Sequence, residues 1–212
     1  MKEKKDKKIL VEDLPTKKSL FRSKKHKMFS IAALVIMIGA FIYLGAVNFD
    51  DNISDAEKIS KEFSSIGDDN VFVYTDAKEI ISLLDGYTIV LFGSSKNEYT
   101  EDYARIVNEA AKEFGIKKVL YYDFFSDRSN NNGNYELLLE ELNPYLVKND
   151  MGNAELYAPT LLVVKDGFVE YINQELNFTV GGTSSEEYWT NLREGLFKTT
   201  LLEVFKSFVG ED

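Results

Sequence analysis

From residue 71 onward, short unbroken apolar runs alternate with stretches in which apolar residues recur every three or four positions, the two periods that separate strands from helices. Residues 71–74 (VFVY) predict a short strand, 77–84 a helix, and 88–92 (TIVLF) a strand buried on both faces. The clearest helix carries Tyr103, Ile106, Val107, Ala110, Ala111 and Phe114 on one stripe, and Gly115 stands where a left-handed residue closes a helix. Residues 118–124 (KVLYYDF) predict a third strand and 135–146 a further helix. The runs 160–164 (TLLVV) and 168–172 (FVEYI) flank Lys165, Asp166 and Gly167, a strong hairpin signal. Ser184 and Glu187 have the spacing of a capping box and open a last helical stretch to about Val209. The order β-α-β-α-β-α-β-β-α predicts an α/β fold, a central mixed sheet with helices on both faces, and nothing repeats internally.

The chain before this domain has a different character. Residues 50–70 are polar and acidic, with Ile53, Ala56, Ile59 and Phe63 at helical spacing and no strand signal, which reads as a linker or stalk helix. Residues 28–49 form an uncharged run of 22 residues. At 1.5 Å per residue that suffices to cross a hydrocarbon core of roughly 30 Å, so one transmembrane helix is expected. The run is too long for a cleaved signal peptide and ends in no Ala-x-Ala site, and it holds no Gly-x-x-x-Gly pair to mark helix dimerisation. Residues 1–27 carry eleven Lys or Arg against four acids, a net +7 without apolar periodicity, and read as a disordered basic tail.

Charge sets the orientation. After the apolar run, 14 basic residues face 31 acidic ones, a net −17. Basic residues hold their flank in the cytoplasm, so the amino terminus is expected inside and residues 71–212 outside as one domain. The expected localisation is therefore the cell membrane, single-pass, with an extracellular domain. The anchor would contact membrane lipid, and the basic tail reads first as a topogenic signal, with a grip on anionic lipid as the alternative. No aromatic residue other than Phe21 punctuates the tail and no fold accompanies it, so nucleic acid is not an expected partner.

Composition removes most chemistry. The 212 residues contain no cysteine, which suits a Gram-positive cell surface and rules out an acylated lipoprotein. His26, the single histidine, lies in the basic tail, so the domain has no parts for a zinc site, a Cys/His pair or a Ser/His pair, and no metal or other cofactor is expected. The stretch from Asp127 to Asn134 has a calcium-loop flavour, but Asn132 and Leu138 stand where Gly and Glu are required, and it reads as a surface loop. Gly181 and Gly182 lack the spacing of a phosphate loop. Paired carboxylates remain open among 31 acids, with no spacing that singles out a pair.

The element order, with Ala158, Pro159 and Thr160 opening the fourth strand, resembles the thioredoxin superfamily, in which a cis-proline before that strand faces the active-site loop. The loop region is similar to that of membrane-anchored extracytoplasmic bacterial thioredoxin-like proteins, with Gly-x-Pro-x-Cys-Pro-x-Cys followed by a Leu-Asn-Glu-Ala-Ala-Lys-like run. Here Gly93 begins the loop, the run from Val107 to Lys112 matches without a gap, and the two cysteine positions fall on Asn97 and Thr100, with Glu98 and Tyr99 between them. The resemblance covers about 71–209 and implies the fold and the place of the site. Neither Asn nor Thr forms a mixed disulfide, so thiol–disulfide oxidoreductase activity is excluded.

In the family this helix end faces a thiolate; here it meets Glu98, Glu101 and Asp102, and the simplest account is dipole stabilisation with Ser95 or Asn97 as cap. The functional expectation is a degenerate active site kept as a protein-binding groove formed by Asn97, Glu98, Tyr99, Thr100, Ala158, Pro159 and Thr160, with Tyr99 as a contact surface. Its partner would be an envelope protein. Two alternatives stand beside it: a non-thiol enzyme with Glu98 or Asp102 as acid or base, and an accessory subunit of a membrane export or envelope complex. The last helix, with Trp189, Leu192, Leu196 and Phe197 among others, is apolar over more than one stripe, which fits either a helix covering the sheet and the stalk or one with a face left for a partner.

Overall fold

A computed structural model of the chain describes residues 53–176 and 183–210. The basic tail (1–27), the expected transmembrane helix (28–49) and residues 50–52 lie outside the described residues. Among the described residues no helix is long and apolar enough to cross a membrane.

Among the described residues twelve elements follow in chain order: α1 (Asp55–Glu62), β1 (Phe72–Tyr74), α2 (Ala77–Leu83), β2 (Thr88–Gly93), α3 (Glu98–Glu113), β3 (Val119–Asp123), α4 (Phe125–Ser129), α5 (Gly133–Leu142), β4 (Thr160–Lys165), β5 (Phe168–Gln174), α6 (Ser185–Tyr188) and α7 (Asn191–Val209). The strands form one sheet in the order β1-β3-β2-β4-β5. β1, β3 and β2 run parallel, while β4 pairs antiparallel with β2 and β5 antiparallel with β4. This mixed sheet with helices on both faces fits the thioredoxin-like fold that the resemblance implied.

The two-residue period of the strands divides the core in two. Ile89, Leu91, Val119, Tyr121, Leu161 and Val163 point to the layer holding α1, α3 and α7. Val90, Phe92, Leu120, Tyr122, Leu162 and Val164 point to the layer of α2 and α5. Every residue of β2 is buried, as its unbroken apolar run predicts. Asp166 and Gly167 close the β4–β5 hairpin with φ of 51° and 78°, the paired positive values of a tight primed turn.

Three expectations change. Residues 53–70 are more than a linker or stalk helix: α1 opens on a Ser54 capping box, and Ile59, Phe63 and Ile66 lie in the same core as β3 and α3. Burying such side chains yields roughly 1.5–3 kcal/mol each, enough to fix the segment to the sheet. The compact unit accordingly begins at Ile53 rather than at 71. The last helical stretch is two helices, because Thr190 takes extended angles and caps α7 anew after α6. The 127–134 stretch is not a plain loop, since it takes in the end of α4 and the start of α5, and its Asp127 carboxylate accepts from the Tyr122 hydroxyl at 2.6 Å and the Asn132 amide at 3.0 Å.

Candidate functional site

The loop between β2 and α3 lies against the start of β4. Asn97 joins the two. Its Oδ1 accepts from the Tyr99 N–H at 3.0 Å, capping α3, while its Nδ2 donates to the Ala158 carbonyl at 3.2 Å. The Ala158–Pro159 peptide bond is cis. The Pro159 carbonyl accepts from the Glu175 N–H at 3.1 Å. One side chain, at the position where the resemblance puts the first cysteine, thus both starts the helix and fastens the loop to the proline segment.

Thr100, at the second position, is fully buried, and its hydroxyl lies 3.3 Å from Asn97 Oδ1. It packs over Gly93: a Cβ added there would meet Thr100 Cγ2 at 2.5 Å and the Tyr121 ring at 3.3 Å. Only glycine allows that approach. The Gly93 that opens the resemblance is therefore explained by packing against Thr100.

Of the seven candidate residues, only Glu98 is exposed; Asn97 is half-buried, and Tyr99, Thr100, Ala158, Pro159 and Thr160 are buried. The structure brings Asn97, Thr100 and Ala158 together. The expectation of Tyr99 as a contact surface is corrected: its ring is 8% exposed because α6 covers it. Its hydroxyl donates to the Thr183 carbonyl, and its ring meets Tyr188 edge-on at 5.7 Å. Tyr188 donates to the buried Glu175 carboxylate. Trp189 stands at 5.1 Å from Tyr188, with Tyr103 and Phe197 also around its indole. Among the described residues the Trp189 Nε1 has no hydrogen-bond partner.

The acids of the first turn of α3 are also engaged. Glu101 accepts from the Ser65 N–H at 2.7 Å and the Ser64 hydroxyl at 3.0 Å, tying the segment after α1 to α3. Burial works against its charge, yet these hydrogen bonds prevail and hold its carboxyl below the ordinary value. Asp102 accepts from the Ser185 hydroxyl at 2.8 Å and faces Arg105 at 3.4 Å, while Arg105 reaches Glu194 of α7 at 2.6 Å. Asp102 thereby fastens α6 to α3 instead of standing open as an acid or base. Burial pushes the Tyr103 and Tyr121 phenols up, so at neutral pH both keep their protons and supply no base.

Two residues with structural roles carried no sequence signal. Asn108, buried in the middle of α3, accepts the Val71 N–H at 3.1 Å and so sets the entry of β1. Asp55 accepts the Tyr74 N–H at 3.0 Å from the outer side of that strand. Among the described residues no group of three or more acidic or histidine side chains is arranged to hold a metal ion.

No family model and no curated protein matches the chain. Among solved structures, thioredoxin O2 from Arabidopsis thaliana in the oxidised state aligns with 52% of this chain and 87% of its own length, at 14% identity and a TM-score of 0.36. At that level of likeness the fold rests on the strand order and the sequence of elements.

Proposed function

We propose that the chain is a membrane-anchored, redox-inactive thioredoxin-like domain that serves as a protein-binding or scaffolding module at the cell envelope. The observation that carries this reading is the double use of Asn97. The position that a thiol would occupy holds a side chain that caps α3 and ties the loop to Ala158, so the frame is maintained by hydrogen bonds while the chemistry is absent. The 22-residue uncharged run and the change from +7 to −17 across it support the anchor and the outward placement of the domain.

In-cell photocrosslinking tests it, with a probe residue in place of Lys96 on the exposed loop, another in place of Phe168 at the far end of the sheet, and a control in place of Lys112 on the outer side of α3. A discrete protein adduct from Lys96 or Phe168 and not from Lys112 is expected. Uniform labelling from all three, or none, would remove the binding-module reading.

A further inference from the structure

The outer edge of β5 is built differently from the rest of the sheet. Among the described residues β5 is the terminal strand, and it pairs only with β4. Val164 pairs with Val169 and Val163 with Tyr171, so Glu170 is an extra, unpaired residue in a β-bulge. The side chains register the slip. Val169 and Ile172, three apart, pack into one core layer while Tyr171 packs into the other. Strict alternation would place Glu170 beside Ile172. The bulge instead re-aims it toward α7, where Glu170 and Glu203 line one cavity of about 400 Å³ with Val204 and Ser207.

Neither carboxylate makes an ion pair or hydrogen bond among the described residues. The nearby Lys165 ammonium is already engaged, donating to the Ser207 carbonyl at 2.5 Å. At the start of the strand Phe168 is 74% exposed. An unpaired strand edge is a template for pairing, and a charge at a bulge is a device that selects against the wrong pairing partner. A second copy of this domain is such a wrong partner: edge-to-edge pairing would bring another uncompensated Glu170 and Glu203 to a domain that already carries a net −15 from residue 53 onward.

We infer that the β5 edge is a strand-addition site for an extended, basic segment of a partner protein, with main-chain hydrogen bonds to β5, an apolar contact to Phe168, and a Lys or Arg side chain entering between Glu170 and Glu203. The inference rests on the binding-module reading and names its surface and partner class. Main-chain pairing supplies affinity and the carboxylate pair supplies the selection by charge.

The test uses the intact chain in zwitterionic detergent and three dye-labelled peptides: alternating Val-Lys, alternating Val-Glu, and a Val-Lys peptide with proline at every second valine. Anisotropy should show binding of the Val-Lys peptide alone, weakened at least tenfold by E170Q/E203Q and less than twofold by E136Q/E140Q on the exposed face of α5. Amide exchange should slow along β5 when the peptide binds. Equal weakening in both variants would reduce the effect to general attraction by an acidic domain and overturn the inference, as would no binding or binding of the proline peptide. Protection at Ser95 and Lys96 in place of β5 would also overturn it while leaving the binding-module reading intact; that reading fails separately, on the crosslinking from Lys96 and Phe168.

Discussion

The sheet has two edges, and the chain treats them in opposite ways. β1 is three residues long and its border is closed: Asp55 takes the Tyr74 N–H, Asn70 Oδ1 takes the Phe72 N–H at 3.1 Å, and α1 lies beside it with Ile59, Phe63 and Ile66 in the core. β5 is seven residues long and ends the sheet, with a bulged glutamate and an exposed phenylalanine at its start. An edge closed by side chains and a helix contributes stability. One guarded by charge alone contributes selectivity. The difference teaches that the residues before the sheet complete the fold, while the last strand is left as the edge on which the proposed partner would pair.

The strongest way to break the contrast is at Phe63, which is 2% exposed and packs edge-on against Tyr121 at 5.7 Å. F63A should cost about 3–5 kcal/mol in a urea unfolding midpoint at constant slope, as core truncations do. A true linker residue would cost nothing.

The middle of the sheet comes next. N97A removes the α3 cap and the tie to Ala158 and should cost about 0.5–2 kcal/mol. N97D keeps the cap but loses the donor and sets a carboxylate against the Ala158 carbonyl, so it should also destabilise. If thermal melts show N97D equal to wild type, the tie to Ala158 contributes nothing.

Acid should separate the two edges. Because folding holds the Glu101 carboxyl below its ordinary value, its contribution is complete above that value, about 4.3, and is lost as pH falls through the folded value. The attachment of Ser64 and Ser65 to α3, worth about 1 kcal/mol for a partly exposed group, should loosen over that window. Hydrogen exchange should rise first in the segment after α1 and leave the β4–β5 ladder unchanged; E101Q should show no such pH dependence.

The smallest effect belongs to the open edge. F168S should change stability by less than about 0.5 kcal/mol, since the ring contacts solvent. A larger loss would mean that Phe168 holds the hairpin together and is not reserved for a partner.

The strands were legible because a buried strand declares itself by an unbroken apolar run, as in TIVLF and TLLVV, and the Asp166–Gly167 turn by its residue types. α1 was legible as a helix but not as part of the domain. Its buried residues are few and surrounded by charge, and no periodicity marks Asp55 as the partner of a backbone amide 19 residues away. Asn97 was readable as a cap, whereas its second bond depends on how closely the proline segment approaches. Tyr99 read as surface because its cover, Thr183 and the α6 that follows it, begins 84 residues onward. The bulge at Glu170 was hidden for another reason: an unpaired residue in a strand has the same sequence appearance as a paired one.

The indole of Trp189 stands in a wall of rings where α3, α6 and α7 meet, 5% exposed and the single tryptophan of the chain. The domain therefore carries its own optical gauge. Tyr103 and Tyr188, within the same aromatic layer, can pass excitation to this one acceptor. The colour of its emission reads a single junction: blue while the three helices hold together, red when water reaches the ring, with no label added.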